Sequence, residues 1–155
     1  MRHQAPNKMA YSLTNTITIN APIHIVWEIL TNFPRYAKWN SFTPHAECTG
    51  KVGDPVSLRV QLGQRSKLMT VSLELKTFDT ESKLCWGNDR WYLPVLRCQT
   101  LENIAPNTTR YTNSESFGGI LSPIVILTQK KDLMRGYQLA AEGLKNYAEK
   151  KKGAV

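Results

Sequence analysis

Two stretches late in the chain carry reactive side chains at a spacing of two. They are Arg97-Cys98-Gln99-Thr100-Leu101 and Tyr111-Thr112-Asn113-Ser114-Glu115-Ser116-Phe117. Residues two apart in an extended strand share a face, so Tyr111, Asn113 and Glu115 stand together, as do Arg97 and Gln99. Turned inward, a carboxyl would supply a proton donor or acceptor, and a guanidinium would hold an oxyanion or carboxylate. The same period fits the opposite arrangement. A shift of one residue turns the whole set to solvent, where polar strand residues ordinarily lie.

Other chemistries lack their patterns. His3, His24 and His45 are scattered without metal-ligand spacing and read as surface histidines. The chain has no glycine-rich phosphate loop, no serine-nucleophile elbow and no paired-cysteine metal motif. Cys48, Cys85 and Cys98 are odd in number without paired spacing, which fits a reduced compartment. Cys85 and Cys98 can fall on adjacent strands, but nothing nearby marks an activated thiol. No cofactor or metal is expected.

Composition bounds the rest. With 155 residues, 41% hydrophobic and 21% charged, the chain fits one globular domain with a real core. We place that domain at residues 12–150, with a flexible tail over 1–11 and a basic tail over 151–155. The start has no apolar stretch of a secretory signal, and "GGILSPIVIL" is about half a membrane span and contains proline. A cytoplasmic protein without a transmembrane segment is expected. The net charge of +8 concentrates partly in Lys130–Lys152, without interleaved stacking aromatics or a nucleic-acid motif. Nucleic acid is not an expected partner, and the oligomeric state is left open.

The elements that must position the reactive residues follow from periodicity. "SLTNTITI" alternates Leu13, Ile17 and Ile19 against threonines, a half-buried strand. Asn20 then reads as a helix cap, with Ile23, Val26, Trp27 and Leu30 on one apolar face. "FPRYAKW" reads as a second short helix. Strands follow over "PVSLRVQL", "LMTVSLELKTF", "KLCWG", "VLRCQTLENI" and "TTRYTNSESF", the last two joined by an Ala105-Pro106-Asn107 turn. From Ser122, read as a cap with Pro123 in the first turn, one helix of roughly 28 residues would span about 40 Å. The class is α+β: an antiparallel sheet whose open face only the last helix can cover.

This order, with "INAPIHIVWEILTNFPRYAKWNSF", "TRYTNSESFGGIL" and "LAAEGLKNYAEKK", resembles the START-like helix-grip superfamily, which includes the birch-pollen-allergen proteins. Within it the chain most resembles the polyketide cyclase/dehydrase and lipid-transport branch, over about Leu13 to Glu149. The resemblance implies a curved antiparallel sheet wrapped around a long C-terminal helix, two short helices after the first strand, and an internal cavity. The expected partner is an apolar or amphipathic small molecule.

Departures from the family pattern mark the candidate site. The turn that commonly reads Trp-Asn-Pro-Phe is here Trp39-Asn40-Ser41-Phe42. Where members often carry an inward His and then Phe on the penultimate strand, the matching positions hold Arg97 and Gln99, with Leu101 next. Where the last strand often carries an inward His two residues before Glu, Asn113 precedes Glu115. The resemblance therefore implies an inward polar cluster of Arg97, Gln99, Asn113 and Glu115. Trp39, Phe42, Trp86, Trp91, Leu101, Phe117, Leu133, Met134 and Tyr137 are the further candidate ligand contacts. Trp86 and Trp91 read by default as core aromatics, and as pocket-rim residues if the "GNDRWYLP" loop overhangs the opening; Met134 and Tyr137 read as helix core, on the face a pocket lining would also use.

Two functional classes remain. One is cofactor-free cyclisation, dehydration or isomerisation, with Glu115 as acid/base, Arg97 holding developing negative charge, and Tyr111 or Asn113 orienting the substrate. The other is a carrier in which the same polar groups anchor a ligand.

Overall fold

A computed structural model of the protein describes residues 9–64 and 66–154. Strand β1 (Met9–Ile19) leads into helix α1 (Ile23–Thr31) and a 3₁₀ helix (Phe33–Lys38). Six strands follow: β2 (His45–Glu47), β3 (Pro55–Val60), β4 (Met69–Asp79), β5 (Lys83–Asn88), β6 (Val95–Ala105) and β7 (Thr108–Gly118). Helix α2 (Ser122–Gly153) completes the described chain. The strands form one sheet in the order β1-β7-β6-β5-β4-β3-β2, and every pairing is antiparallel. This is the helix-grip architecture expected from the order of elements.

Alternation sets the two faces. Leu13 and Ile19 are buried beneath α2, whereas Thr16 meets Thr112 across the outer face at 3.2 Å. Register shifts at Met9/Tyr11, Leu75/Thr77 and Asn103/Ala105 interrupt the ladders, and such bulges increase twist and bend a sheet.

The gripped face of α2 is Leu133, Gly136, Tyr137, Ala140, Ala141, Leu144 and Ala148, at spacings of one, three and four. Many of these are small, so the helix lies close to its neighbours. A Cβ on Gly136 would overlap the Phe42 ring, and one on Gly143 would overlap the Trp39 carbonyl. Full burial of Leu144 and Tyr137 supports this packing, each large apolar side chain contributing about 1.5–3 kcal/mol.

Several boundaries differ from those read in the sequence. Strand β1 begins at Met9, inside the expected 1–11 tail, because β7 runs on to Gly118 and pairs with Met9 and Tyr11. Residues 1–8, including His3, lie outside the described residues. Lys151 and Lys152 belong to α2 instead of a tail, and Lys151 Nζ meets Glu28 Oε1 of α1 at 2.6 Å. Basic residues in that last turn also suit the negative end of the helix dipole. Asn20 is no side-chain cap: its backbone N–H donates to Glu149 Oε1 at 2.9 Å, tying the end of β1 to α2. Ser122 Oγ instead donates to the Gly119 carbonyl at 2.8 Å. Strand β2 is an addition, since three residues are too few to show a period in the sequence.

The cysteines are a correction. Cys85 on β5 and Cys98 on β6 form a disulfide, with Cα atoms 4.2 Å apart. They are direct partners in the β5–β6 register, on the outer face because their neighbours Trp86 and Arg97 face in. Cys48 is the free cysteine among the described residues. Also among these residues, no His/Cys/Asp/Glu group has metal-site geometry and no helix is long and apolar enough to cross a membrane.

Candidate functional site

Between α2 and the inner faces of β3 to β7 lies a cavity of about 430 Å³. Its walls are mainly apolar: Leu58 and Val60 from β3, Val71 and Leu73 from β4, Trp86 from β5, Val95 from β6, Phe117 from β7 and Leu133 from α2. Phe42 closes one side. Its approach is set by Asn40, whose Oδ1 accepts the Thr43 N–H at 2.8 Å and holds the turn that has serine at position 41. The size and lining suit a small hydrophobic molecule.

Arg97 and Glu115 are the charged pair deepest in this wall, facing each other across β6 and β7. Gln99 lies opposite Asn113 and Leu101 opposite Tyr111, so the hairpin register turns all six side chains inward. The polar groups interlock diagonally. Arg97 Nε donates to Asn113 Oδ1 at 2.7 Å, and the Tyr111 hydroxyl donates to Gln99 Oε1 at 2.7 Å. From α2, the Tyr137 hydroxyl donates to Glu115 Oε2 at 2.5 Å. The Arg97 guanidinium lies over two rings, 5.5 Å from the centre of Tyr137 and 5.6 Å from that of Phe42, a cation–π arrangement.

These contacts leave groups for a ligand. Among the described residues, the buried indole N–H of Trp86 has no protein acceptor, and the Arg97 guanidinium and Glu115 carboxyl stand on the cavity wall beside it. The Glu115 carboxyl is pushed above the usual carboxylate range. Burial is the dominant cause, opposed by the positive charge of Arg97 and the Tyr137 hydrogen bond. Tyr137 is itself driven upward by burial and by repulsion from Glu115, so it stays a donor. Burial moves Tyr111 to about 12 against the pull of Arg97. The arrangement can therefore exchange a proton at Glu115 and stabilise negative charge at Arg97.

The other candidate residues divide by place. Phe42, Trp86, Phe117 and Leu133 line the cavity with Arg97 and Glu115. Gln99, Leu101, Tyr111, Asn113 and Tyr137 are buried behind that wall, where they brace it without lining it. Met134 is half-buried against the core, beside the lining residue Leu133. Trp39 is a correction. The 3₁₀ helix carries it toward α1 and α2, edge-on to Tyr36 at 4.8 Å, beside a separate groove with Arg35 and Tyr147. Trp91 is the other, at 69% exposure, because it points outward from the loop whose neighbours Arg90 and Leu93 reach the cavity. Sequence reasoning did not place the β3–β4 wall in the site, although its Leu58/Val60 and Val71/Leu73 alternation is plain.

The sequence profile described as polyketide cyclase / dehydrase and lipid transport matches residues 10–149. The chain belongs to that family. Solved structures of similar fold include the Zhui aromatase/cyclase from Streptomyces sp. R1128, at 15% identity and TM-score 0.72 over 90% of this chain and 93% of that one. A START superfamily protein from Mycobacterium smegmatis is 13% identical, with TM-score 0.70 over 91% and 99% of the two chains. The di-domain ARO/CYC StfQ from the steffimycin biosynthetic pathway is 8% identical, with TM-score 0.71 over 92% of this chain and 51% of its own. These identities speak for the fold. No curated protein sequence matches the chain. Membership in the polyketide cyclase / dehydrase and lipid transport family supports a cyclase-like or ligand-binding role for the cavity.

Proposed function

We propose that the protein is a cofactor-free cyclase, dehydratase or isomerase acting on a small hydrophobic, polyketide-like substrate held in the cavity. The observation that carries this reading is Glu115: a carboxyl on an apolar cavity wall, raised in pKa, with Arg97 directly across the register. A carboxyl whose pKa is raised by burial suits general acid–base work, since it holds its proton more readily than a free carboxyl. In this reading Glu115 moves the proton and the Arg97 guanidinium holds the oxygen on which negative charge develops. Asn113 fixes Arg97 through Nε, and Tyr137 fixes Glu115. Tyr111 positions Gln99 in the layer beneath. The Zhui protein of similar fold is an aromatase/cyclase, which is consistent with such chemistry.

A carrier reading draws on the predominance of aliphatic and aromatic lining, which would hold a lipid without chemistry. The two readings separate on one variant. Native mass spectrometry of protein purified from its own source identifies a co-bound molecule, and that molecule or its precursor is then offered to Glu115→Gln. The enzyme reading expects affinity retained and turnover lost, because the amide keeps shape but cannot exchange a proton. Turnover unchanged in Glu115→Gln would end the acid–base assignment.

A further inference from the structure

Among the described residues, five large apolar side chains at one end of the molecule stand without cover. Trp91, Ile120, Leu121, Ile124 and Leu127 are 69%, 68%, 38%, 58% and 87% exposed. Exposed apolar residues scattered singly are ordinary, whereas a contiguous group marks a binding surface. These five are brought together by the backbone. The Leu121 N–H donates to the Tyr92 carbonyl at 3.0 Å, and the Gly118 N–H donates to the Pro94 carbonyl at 3.0 Å. Gly119 permits the approach, since a Cβ there would run into the Trp91 and Tyr92 carbonyls, and its φ of +77° is one that favours glycine. The Trp91 loop and the β7–α2 turn are thus stitched into one ledge.

The ledge is also the rim of the cavity. Arg90 and Leu93 from the loop, and Val125, Gln129 and Leu133 from α2, line the cavity itself. One turn of α2 therefore has two apolar sides. Val125 looks inward, while Ile124 and Leu127 look out at helical spacing from Leu121. Basic residues continue the outward side. Lys130 and Lys131 are exposed three and four residues beyond Leu127, and Arg90 adjoins Trp91. The nearby Asp89 is matched by Lys76 at 2.7 Å.

We infer that this rim is a docking surface for a lipid bilayer bearing anionic headgroups. Trp91, Ile124 and Leu127 would enter the interface, and Arg90, Lys130 and Lys131 would meet the headgroups. Apolar residues at the tip with cations behind them form the two-part signal that interfacial binding needs. A tryptophan is suited to the boundary between headgroups and acyl chains. Charge decides against a second copy as the occupant. A two-fold contact through this patch would set Arg90, Lys130 and Lys131 against their own counterparts. Docking there would open the cavity mouth toward the membrane, and the inference holds whether the cavity catalyses or only binds.

The test uses the whole protein with vesicles of phosphatidylcholine, with and without phosphatidylserine. Trp27, Trp39 and Trp86 are buried, so a blue shift of tryptophan emission on binding reports chiefly on Trp91. We expect co-sedimentation and a blue shift with the anionic vesicles, weakened by salt. Ile124→Ser with Leu127→Ser should lower vesicle affinity roughly tenfold or more, given what two buried aliphatic side chains contribute. Lys130→Gln with Lys131→Gln should lower it on anionic vesicles only. All these positions are exposed, and unchanged thermal melting establishes that each variant is folded. Wild-type protein that binds neither vesicle overturns the inference, as does a folded serine variant that binds like wild type. A concentration-dependent dimer in sedimentation equilibrium that Leu127→Ser breaks would assign the patch to self-association and overturn it equally.

Discussion

Arg97 and Glu115 occupy the same rung of the β6–β7 ladder, yet among the described residues no ion pair joins them. Each is held by a third residue. Arg97 gives Nε to Asn113, and Glu115 receives the Tyr137 hydroxyl. The two charges stabilise one another through a low-dielectric gap, on a wall that a ligand can reach. Removing Arg97 alone leaves Glu115 without its opposing charge and the Asn113 oxygen without its donor. We therefore expect Arg97→Met to destabilise the fold more than Arg97→Met with Glu115→Gln. Urea unfolding of both single variants and the double variant measures this coupling, of order 1–3 kcal/mol for groups sharing one network. Additive effects would mean that the pair does not interact.

The raised Glu115 pKa has a consequence for stability against pH. The folded protein holds this proton more tightly than the unfolded chain does. Its stabilising contribution is therefore full below the unfolded carboxyl range and lost as pH rises through the folded value. Glu115→Gln stays neutral throughout. We expect the variant to gain on wild type as pH climbs through that window, with urea midpoints at successive pH values as the readout.

The order of elements was legible because burial on one side leaves a period: two in the strands, between three and four in α2. The site was less so. Whether Arg97 and Glu115 face in or out depends on the β6–β7 register, and that register is set by the turn and by a helix more than a hundred residues from β1. The residues between Cys85 and Cys98 carry no mark of a bridge, since the two sulfurs meet only once β5 and β6 are aligned. Trp39 and Trp91 misled for a related reason. An aromatic residue near a pocket in sequence still has two sides to choose from, and the 3₁₀ helix and the 89–94 loop turn these two away.

Gly136 should be intolerant of substitution. It sits where α2 crosses the Phe42 ring, which in turn meets Tyr137 edge-on at 5.7 Å. Alanine would gain helix propensity of about 1 kcal/mol but must push that ring aside. Overpacking costs about 1–3 kcal/mol, so we expect a net loss in Gly136→Ala. The ring also lines the cavity and faces Arg97, so binding of an anilinonaphthalene sulfonate probe should change as well. A variant with wild-type stability and probe binding would show that Phe42 has room to move.

The Cys85–Cys98 bridge should matter to stability and not to the cavity. It closes a short chain loop, with a sequence separation of 13, for which the chain-entropy model gives about 3 kcal/mol. Cys85→Ala with Cys98→Ala should lower the melting temperature accordingly, as should a reductant applied to wild type. Both sulfurs lie on the outer face, so probe affinity in the folded variant should be unchanged. A large loss of binding at a temperature where the variant remains folded would place the bridge in control of the cavity.

Tyr137 offers the cleanest separation of chemistry from binding, because it touches Glu115 without lining the cavity. Tyr137→Phe keeps the ring that packs on Phe42 and lies beneath Arg97, and removes only the hydroxyl. That hydrogen bond lowers the Glu115 pKa, so its loss should raise it further. A hydrogen bond to a carboxylate is worth about 1.5–3 kcal/mol, and destabilisation of that order is expected while Glu115 is ionised. If Glu115 donates a proton in the reaction, the high-pH limb of the activity profile should move to higher pH in Tyr137→Phe, and ligand affinity should hold. If it acts as the base, the low-pH limb should move in the same direction. A profile that stays in place while stability falls would show that Tyr137 serves the fold alone, and that the carboxyl it touches is not the group whose titration limits turnover.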